Sequence, residues 1–267
     1  MTAIKTESLV LRTRRYSESS LIAVLLTPQH GRMDVLAKGC RREKSPLFGH
    51  LDVYQHEDVL VLERAQSSLD LLTEAAFVDE HAGLRFSPPA FAAAGFLADL
   101  AADVCQPRDP QPRLFSVMTG AFGLLSRLGD PAARAGLAEA LPFSPAEKGI
   151  LIGRTLKLSI LDALGWLGFG LELRNCAACG TTAEPPLWIS WKQGGLVCRN
   201  CKNSARDAAL ISPAALSALR ERGPGGEQFE LALPERERRR WLRYLVDYSQ
   251  YVIGKRLRGG KVLLQIL

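Results

Sequence analysis

Four of the six cysteines stand as two CxxC pairs, Cys176 with Cys179 and Cys198 with Cys201, separated by eighteen residues. Each pair can fold into a tight knuckle that aims two thiols at one point. The intervening LWISWKQGGLV, with Gly194 and Gly195 near its turn, can form a hairpin that brings the knuckles together. Four thiolates around one point make a tetrahedral zinc site, and the spacing is that of a zinc ribbon. All four positions are sulfur, which leaves no position for a reactive water, so the expected role of the single zinc ion is structural. A thioredoxin-type motif needs one CxxC, and a zinc deaminase needs His-x-Glu with Pro-Cys-x-x-Cys; the chain has neither pattern. Cys40 and Cys105 stand alone and read as ordinary thiols of a reducing compartment.

The second group able to do chemistry is cationic. Lys38, Arg41, Arg42 and Lys44 cluster in one stretch, and Arg12, Arg14, Arg15 and Arg32 precede them. Arg and Lys neutralise phosphates and release counterions, so such a cluster can hold DNA of any sequence. Aromatics nearby are few (Tyr16, Phe48 and Tyr54), so charge is expected to outweigh base stacking. A second, weaker candidate is the helix starting at Pro234. It carries Arg236, Arg240 and Arg243 along one stripe, with Trp241, Leu245 and Val252 on the packed side. Glu235 is placed to pair with Arg239 at i,i+4.

Net charge is +6, and its distribution is uneven. Residues 5–44 carry nine Lys or Arg against four Asp or Glu; residues 45–80 carry one against eight; residues 172–267 carry sixteen against nine. Such blocks imply a molecule with basic and acidic faces rather than a uniformly basic one. There is no P-loop and no GxSxG elbow, and the four histidines do not pair at metal-ligand spacing. No apolar stretch reaches the ~20 residues of a membrane span, and the N-terminus lacks a signal-peptide core. The expected location is the cytoplasm, in association with the nucleoid.

The elements that must position these groups are of two kinds. Residues 6–78 read as all-β. Strands are expected over Glu7–Arg14, with Leu9, Leu11 and Thr13 opposite Arg12 and Arg14, and over Ser20–Thr27, Met33–Lys38, Leu51–Leu62 and Ser68–Phe77. Five short strands suit a Greek-key barrel of the oligonucleotide-binding (OB) type. The rest is mainly helical. Ser87 and Pro88 mark a helix running to about Val104. Further helices are expected at 114–128 and 132–141, then a buried apolar one at Ile150–Leu167. A β-type element at Leu187–Val197 follows, then helices at 213–222 and 234–257. The fold class is therefore an OB barrel over residues 1–80, then an α-helical domain over 81–267 with a zinc ribbon inserted at about 173–206.

Over essentially its full length the chain resembles the RecO family of bacterial DNA repair proteins. The segments LVLRTRRYSESS, LLTPQHGR and AKGCRREKS carry the resemblance, and the tail LVDYSQYVIGKRLRGGKVLLQIL is similar to the family's last helix. Ser17 stands where the family often has Gly, and Cys40 where a small residue is usual; neither is a basic position. The resemblance implies binding of single- and double-stranded DNA and annealing of complementary strands. It also implies partnership with the ring-forming RecR and with single-stranded DNA-binding protein (SSB), and help in loading the recombinase RecA. The function expected is that of a non-enzymatic recombination mediator. Two rivals remain at this point: a metal-dependent DNA-processing enzyme using the acidic block from 52 to 80, and a zinc-ribbon protein-interaction module that never touches DNA.

Overall fold

The computed structural model describes residues 2–64, 67–131, 141–182, 184–223 and 225–267. It resolves into two compact units, one of Met1–Leu141 with Leu257–Ile266 and one essentially of Pro142–Arg256.

The first unit begins with five strands: β1 (Ala3–Arg15), β2 (Leu21–Thr27), β3 (Gly31–Ala37), β4 (His56–Leu62) and β5 (Asp70–Asp79). They pair in the order β1-β2-β3-β5-β4 and close through β1–β4; every pairing is antiparallel except β3–β5. The interior is filled by Val10, Ala23, Leu25, Met33, Val35, Val59, Val61 and Leu72. β2 is buried on both sides, as its unbroken apolar run requires. The alternation expected in β1 is interrupted. A bulge lies between Val10 and Arg12, so Leu9 opposes Leu26 while Thr13 opposes the inward-facing Ala23. One extra residue in a strand exchanges its faces beyond that point. Leu9 therefore shares the outer face with Arg12 and Arg14 rather than opposing them.

The strand expected from Leu51 is shorter at its start. Leu51 and Tyr54 have φ of 69° and 74°, a left-handed conformation that no strand tolerates, and β4 begins at His56. Cys40, Leu47 and Leu51 join the barrel core, so the β3–β4 connection is anchored by its apolar residues and presents its basic ones outward.

Compactness does not divide the chain at residue 80. Helices α1 (Pro88–Val104) and α2 (Pro112–Gly129) belong to the barrel's unit, together with the final helix, α7 (Gly260–Ile266). Ser87 caps α1 by accepting from the Ala90 amide, with Pro88 at the first helical position, as the sequence pattern requires. Arg12 on β1 reaches Asp99 at 2.7 Å and Asp103 at 3.0 Å on α1, and Arg32 on β3 donates to the Ala102 carbonyl at 3.1 Å. These contacts explain why α1 belongs with the barrel.

The second unit is built on α3 (Pro145–Trp166), which opens with a reciprocal capping box between Ser144 and Glu147. After it come β6 (Leu187–Ser190), β7 (Gly195–Val197) and β8 (Ala209–Ile211), a three-stranded sheet in the order β7-β6-β8. Then follow α4 (Pro213–Arg220), α5 (Glu227–Leu231) and α6 (Glu235–Ile253). α3 is less apolar than its sequence suggests, since Lys148, Arg154 and Lys157 are all buried on it. Lys157, 2% exposed, meets Glu230 of α5, 1% exposed, at 2.5 Å. The helix expected at 132–141 lies, but for Leu141, outside the described residues. Among the described residues no helix is long and apolar enough to cross a membrane.

Candidate metal centre and nucleic-acid interface

The first knuckle is closed by the Gly180 amide donating to the Cys176 carbonyl at 2.8 Å, with Gly180 in the left-handed region. The second is closed by the Cys201 and Lys202 amides on the Cys198 carbonyl at 3.1 and 3.0 Å. The β6–β7 hairpin joins them. Gly195 at its end passes so close to the chain that a Cβ there would sit 2.2 Å from the Glu172 carbonyl oxygen. That approach lets the Glu172 amide reach the Gly194 carbonyl and the Leu196 amide reach the Glu172 carbonyl, each at 2.8 Å. The Ala177 amide then bonds the Leu196 carbonyl at 2.7 Å, which lays the first knuckle against β7.

The result is that the Sγ atoms of Cys176, Cys179, Cys198 and Cys201 all lie within 4.8 Å of one another. Cys179 and Cys198 are 3.9 Å apart. A zinc–sulfur bond of about 2.3 Å in a tetrahedron requires sulfur–sulfur edges of about 3.8 Å, so the four residues fit that ion. Their chemistry points the same way. Burial would raise the Cys176 thiol, but backbone amides of Cys198, Cys179 and Ala178 outweigh it and bring it down to about 6. Hydrogen bonds to Cys179 and Cys198 push Cys201 up to about 12. Four thiols this close cannot all shed their protons without a cation among them. By contrast Cys40 and Cys105 are buried and held protonated; burial pushes Cys105 up to about 12.

The eight basic residues singled out from the barrel fall into two groups. Arg12 and Arg32 are committed inward: Arg12 to Asp99 and Asp103, Arg32 to Asp34 at 3.0 Å and to Ala102. The other six are exposed, and all belong to one end of the barrel. Arg15 opposes Leu21 across β1–β2, and Leu21 opposes Ala37 across β2–β3, so Arg14, Arg15 and Lys38 share that end. Arg41 ties the β3–β4 connection to the β1–β2 turn, its amide donating to Ser19 O and its guanidinium to Glu18 O, each at 3.0 Å. Arg42 and Lys44 follow on the same connection. Aromatic surface is greater here than composition suggests. Tyr16 on the β1–β2 turn is 61% exposed and Phe48 on the β3–β4 connection 53%. Tyr54 is instead packed against Phe91 and Phe122, with ring centroids at 5.0 and 5.6 Å.

Several carboxylates of the acidic block have separate partners. Glu57, wholly buried, accepts from the Leu51 amide and meets the His50 ring, each at 3.1 Å. Asp52 pairs with Arg85 at 3.0 Å, Glu63 with Arg108 at 2.9 Å, and Asp70 accepts from the Arg64 amide. Among the described residues, the four cysteines are the one group of three or more such ligands close enough to hold a metal ion.

On α6, Arg236, Arg240 and Arg243 are exposed, Trp241 and Leu245 are buried, and Val252 is half-buried. The Glu235–Arg239 pair forms at 3.0 Å. Sequence reasoning passed over the aromatic contacts of this helix. Trp191, at the end of β6, stacks against Tyr244 at 5.8 Å and against Tyr251 at 5.9 Å. The two tyrosines lie seven residues apart, a helical spacing of two turns that marks them as one face.

Two family patterns match the chain: that described as recombination protein O N terminal, over residues 1–81, and that described as recombination protein O C terminal, over residues 158–260. A DNA repair protein RecO from Rhodopirellula baltica is 31% identical over 217 residues, covering 80% of this chain and 73% of that protein. One from Anaeromyxobacter dehalogenans is 27% identical over 272 residues, covering 100% of this chain and 98% of its own. One from a Roseiflexus species is 29% identical over 217 residues, covering 81% and 68%.

Proposed function

The chain belongs to the recombination protein O family of DNA repair proteins, and from that premise we propose that it is a non-enzymatic recombination mediator that binds single- and double-stranded DNA and anneals complementary strands. The observation that carries this reading is the gathering of Arg14, Arg15, Lys38, Arg41, Arg42 and Lys44 at one end of the barrel, beside exposed Tyr16 and Phe48. The strand order with its parallel β3–β5 closure suits an OB fold, whose β1–β2 loop commonly contacts oligonucleotides. Guanidinium and ammonium groups hold two strands by their phosphates and lower their mutual repulsion; base pairing then proceeds without covalent chemistry. Tyr16 and Phe48 offer faces on which unpaired bases can stack.

Zinc held by Cys176, Cys179, Cys198 and Cys201 fixes the two knuckles of the ribbon and thereby stabilises the second unit. The mediator works in the cytoplasm at the nucleoid, with RecR and SSB as partners, and promotes loading of RecA. These partnerships rest on family membership and not on a local motif of this chain.

The test is a salt titration of DNA binding by the Arg41→Ala/Arg42→Ala variant. Each phosphate contact contributes about 0.7 to the slope of log affinity against log salt on single strands and about 0.9 on duplex. The variant should lose roughly 1–2 units of slope, to a similar extent for different sequences, because phosphate contacts carry no base information. Strand annealing should slow in parallel. A wild-type slope and annealing rate in this variant would remove the basic connection from the interface.

A further inference from the structure

The second unit carries a cationic and aromatic surface that the barrel reading does not use. On α6 the exposed arginines Arg236, Arg240 and Arg243 follow one another by four and three residues, which puts them on a single stripe. At 1.5 Å rise per residue they step along the helix by about 6 and then about 4.5 Å. Arg236 and Arg240, with Glu237, line a cavity of about 360 Å³. Arg240 lies over the Trp241 ring at 5.0 Å, which orients its guanidinium without neutralising it. Glu237 is engaged by the Ser212 hydroxyl at 2.5 Å, and Glu235 by Arg239.

The same stripe continues through the half-buried Asp247 to Tyr251, about 12 Å beyond Arg243 along the helix. Tyr251 is 55% exposed although one face of its ring lies nearly parallel to Trp191, with an interplanar angle of 11°. The offset contact with Trp191 leaves more than half of the residue accessible, and the ring face turned away from Trp191 is not occupied by any other ring contact among the described residues. Trp191 in turn leans on Tyr244, so Tyr251 is the outermost ring of a braced stack. A braced aromatic face costs little further ordering when a flat partner is laid on it.

We propose that α6 is a second nucleic-acid surface, in which Arg236, Arg240 and Arg243 hold phosphates of a single strand and Tyr251 stacks one of its bases. An acidic peptide would also satisfy the arginines. The Asp and Glu side chains that would pair with the arginines offer no ring to the open face of Tyr251, whereas every nucleotide that supplies a phosphate also carries a base with a π-face, and that favours a nucleic acid. Single strand is favoured over duplex because a paired base keeps its faces inside the stack. Asp247 sits between the arginines and the tyrosine and repels phosphate locally, so the strand's contacts fall on either side of it.

The experiment uses the full-length, zinc-loaded protein and a dT oligonucleotide, with a duplex of the same length for comparison. Three proteins are titrated against salt: Arg236→Ala/Arg240→Ala/Arg243→Ala, Tyr251→Ala and Tyr251→Phe. The triple variant should lose about 2 units of single-strand slope, from three contacts of about 0.7 each. Tyr251→Ala should weaken single-strand binding by roughly 5- to 150-fold with no change in slope and little effect on duplex, the range for one stacked base. Tyr251→Phe keeps the face and should bind as wild type, which separates stacking from a fold defect. Repeating the titrations in the Arg41→Ala/Arg42→Ala background keeps the two surfaces apart, since loss of barrel binding there leaves the α6 effects measurable. The proposal is overturned if the triple variant retains the wild-type slope, if Tyr251→Ala binds dT as wild type does, or if the triple variant loses affinity for poly-glutamate but not for DNA.

Discussion

Cys176 and Cys179 differ in surroundings although they come from one CxxC: the first is buried against the ribbon sheet, the second is at the surface beside Thr181. Both complete the same four-sulfur cluster, so either replacement removes one of the four ligands it can offer a metal ion. Metal binding contributes directly to folding free energy where the site does not exist in the unfolded chain. Freshly purified protein is therefore expected to contain one zinc per chain. Cys176→Ser and Cys179→Ser should each lose it and melt at lower temperature, with Cys176→Ser the more damaging because the backbone amides of Cys198, Cys179 and Ala178 that converge on this buried position lose their thiolate acceptor. Metal analysis and thermal melts check this, and zinc-free protein with undiminished stability would refute it. The cysteines were open to reading because a ligand set with local spacing is written into consecutive residues. Lys157 and Glu230 were not. Their partners lie 73 positions apart and meet across packed helices, and nothing in the apolar run around Lys157 marks it as paired.

β1 and α1 are joined by a charged pin, and the pin decides what two arginines can do. Arg12 is held between Asp99 and Asp103, and it is about one-third exposed. An Arg12→Ala substitution should cost about 1–2 kcal/mol, the usual worth of hydrogen bonds to a charged group reduced for solvent screening. DNA salt slopes should not change, because this guanidinium is already neutralised. Thermal melting and the salt titration together check it; a fall in slope comparable to that of a surface arginine would return Arg12 to the interface. The sequence placed Arg12 with the basic cluster because charge spacing along a strand does not reveal what packs over the strand. It placed α1 correctly because the helix start is local, a Ser cap followed by Pro. It extended β4 back to Leu51 because Leu51, Val53 and Tyr54 look strand-like. The left-handed turns at Leu51 and Tyr54 are imposed by tertiary packing: Leu51 enters the barrel core and the Tyr54 ring packs on α1 and α2. The bulge in β1 was not read either: it falls where the apolar run Leu9-Val10-Leu11 gives way to the alternation of Arg12, Thr13 and Arg14, and that junction does not by itself show which residue is the extra one.

At the scale of the molecule, each compact unit carries its own basic surface, one at the end of the barrel and one on α6. Part of the acidic block between them in sequence is spent on internal partners, Arg85 on Asp52, Arg108 on Glu63 and the Leu51 amide on Glu57, while Asp58 and Glu74 are exposed on β4 and β5. Two surfaces with no shared residues should contribute independently to binding, because sites without common partners add. Combining Arg41→Ala/Arg42→Ala with Arg236→Ala/Arg240→Ala/Arg243→Ala should therefore remove the sum of the separate losses, roughly 3–4 units of single-strand slope. Annealing should be affected differently. It needs two strands held at once, so its rate should fall in either parent variant even at DNA concentrations that saturate the remaining surface. It should need neither nucleotide nor magnesium, and added magnesium should slow it by competing with the arginines for phosphate. The assay follows a fluorophore–quencher pair on complementary strands, with and without magnesium, alongside gel analysis of strand length. Cleavage products that appear with magnesium and vanish when Asp58 and Glu74 are replaced would make the acidic block catalytic. A double variant whose slope loss equals that of the barrel variant alone would leave the second unit without a part in holding DNA.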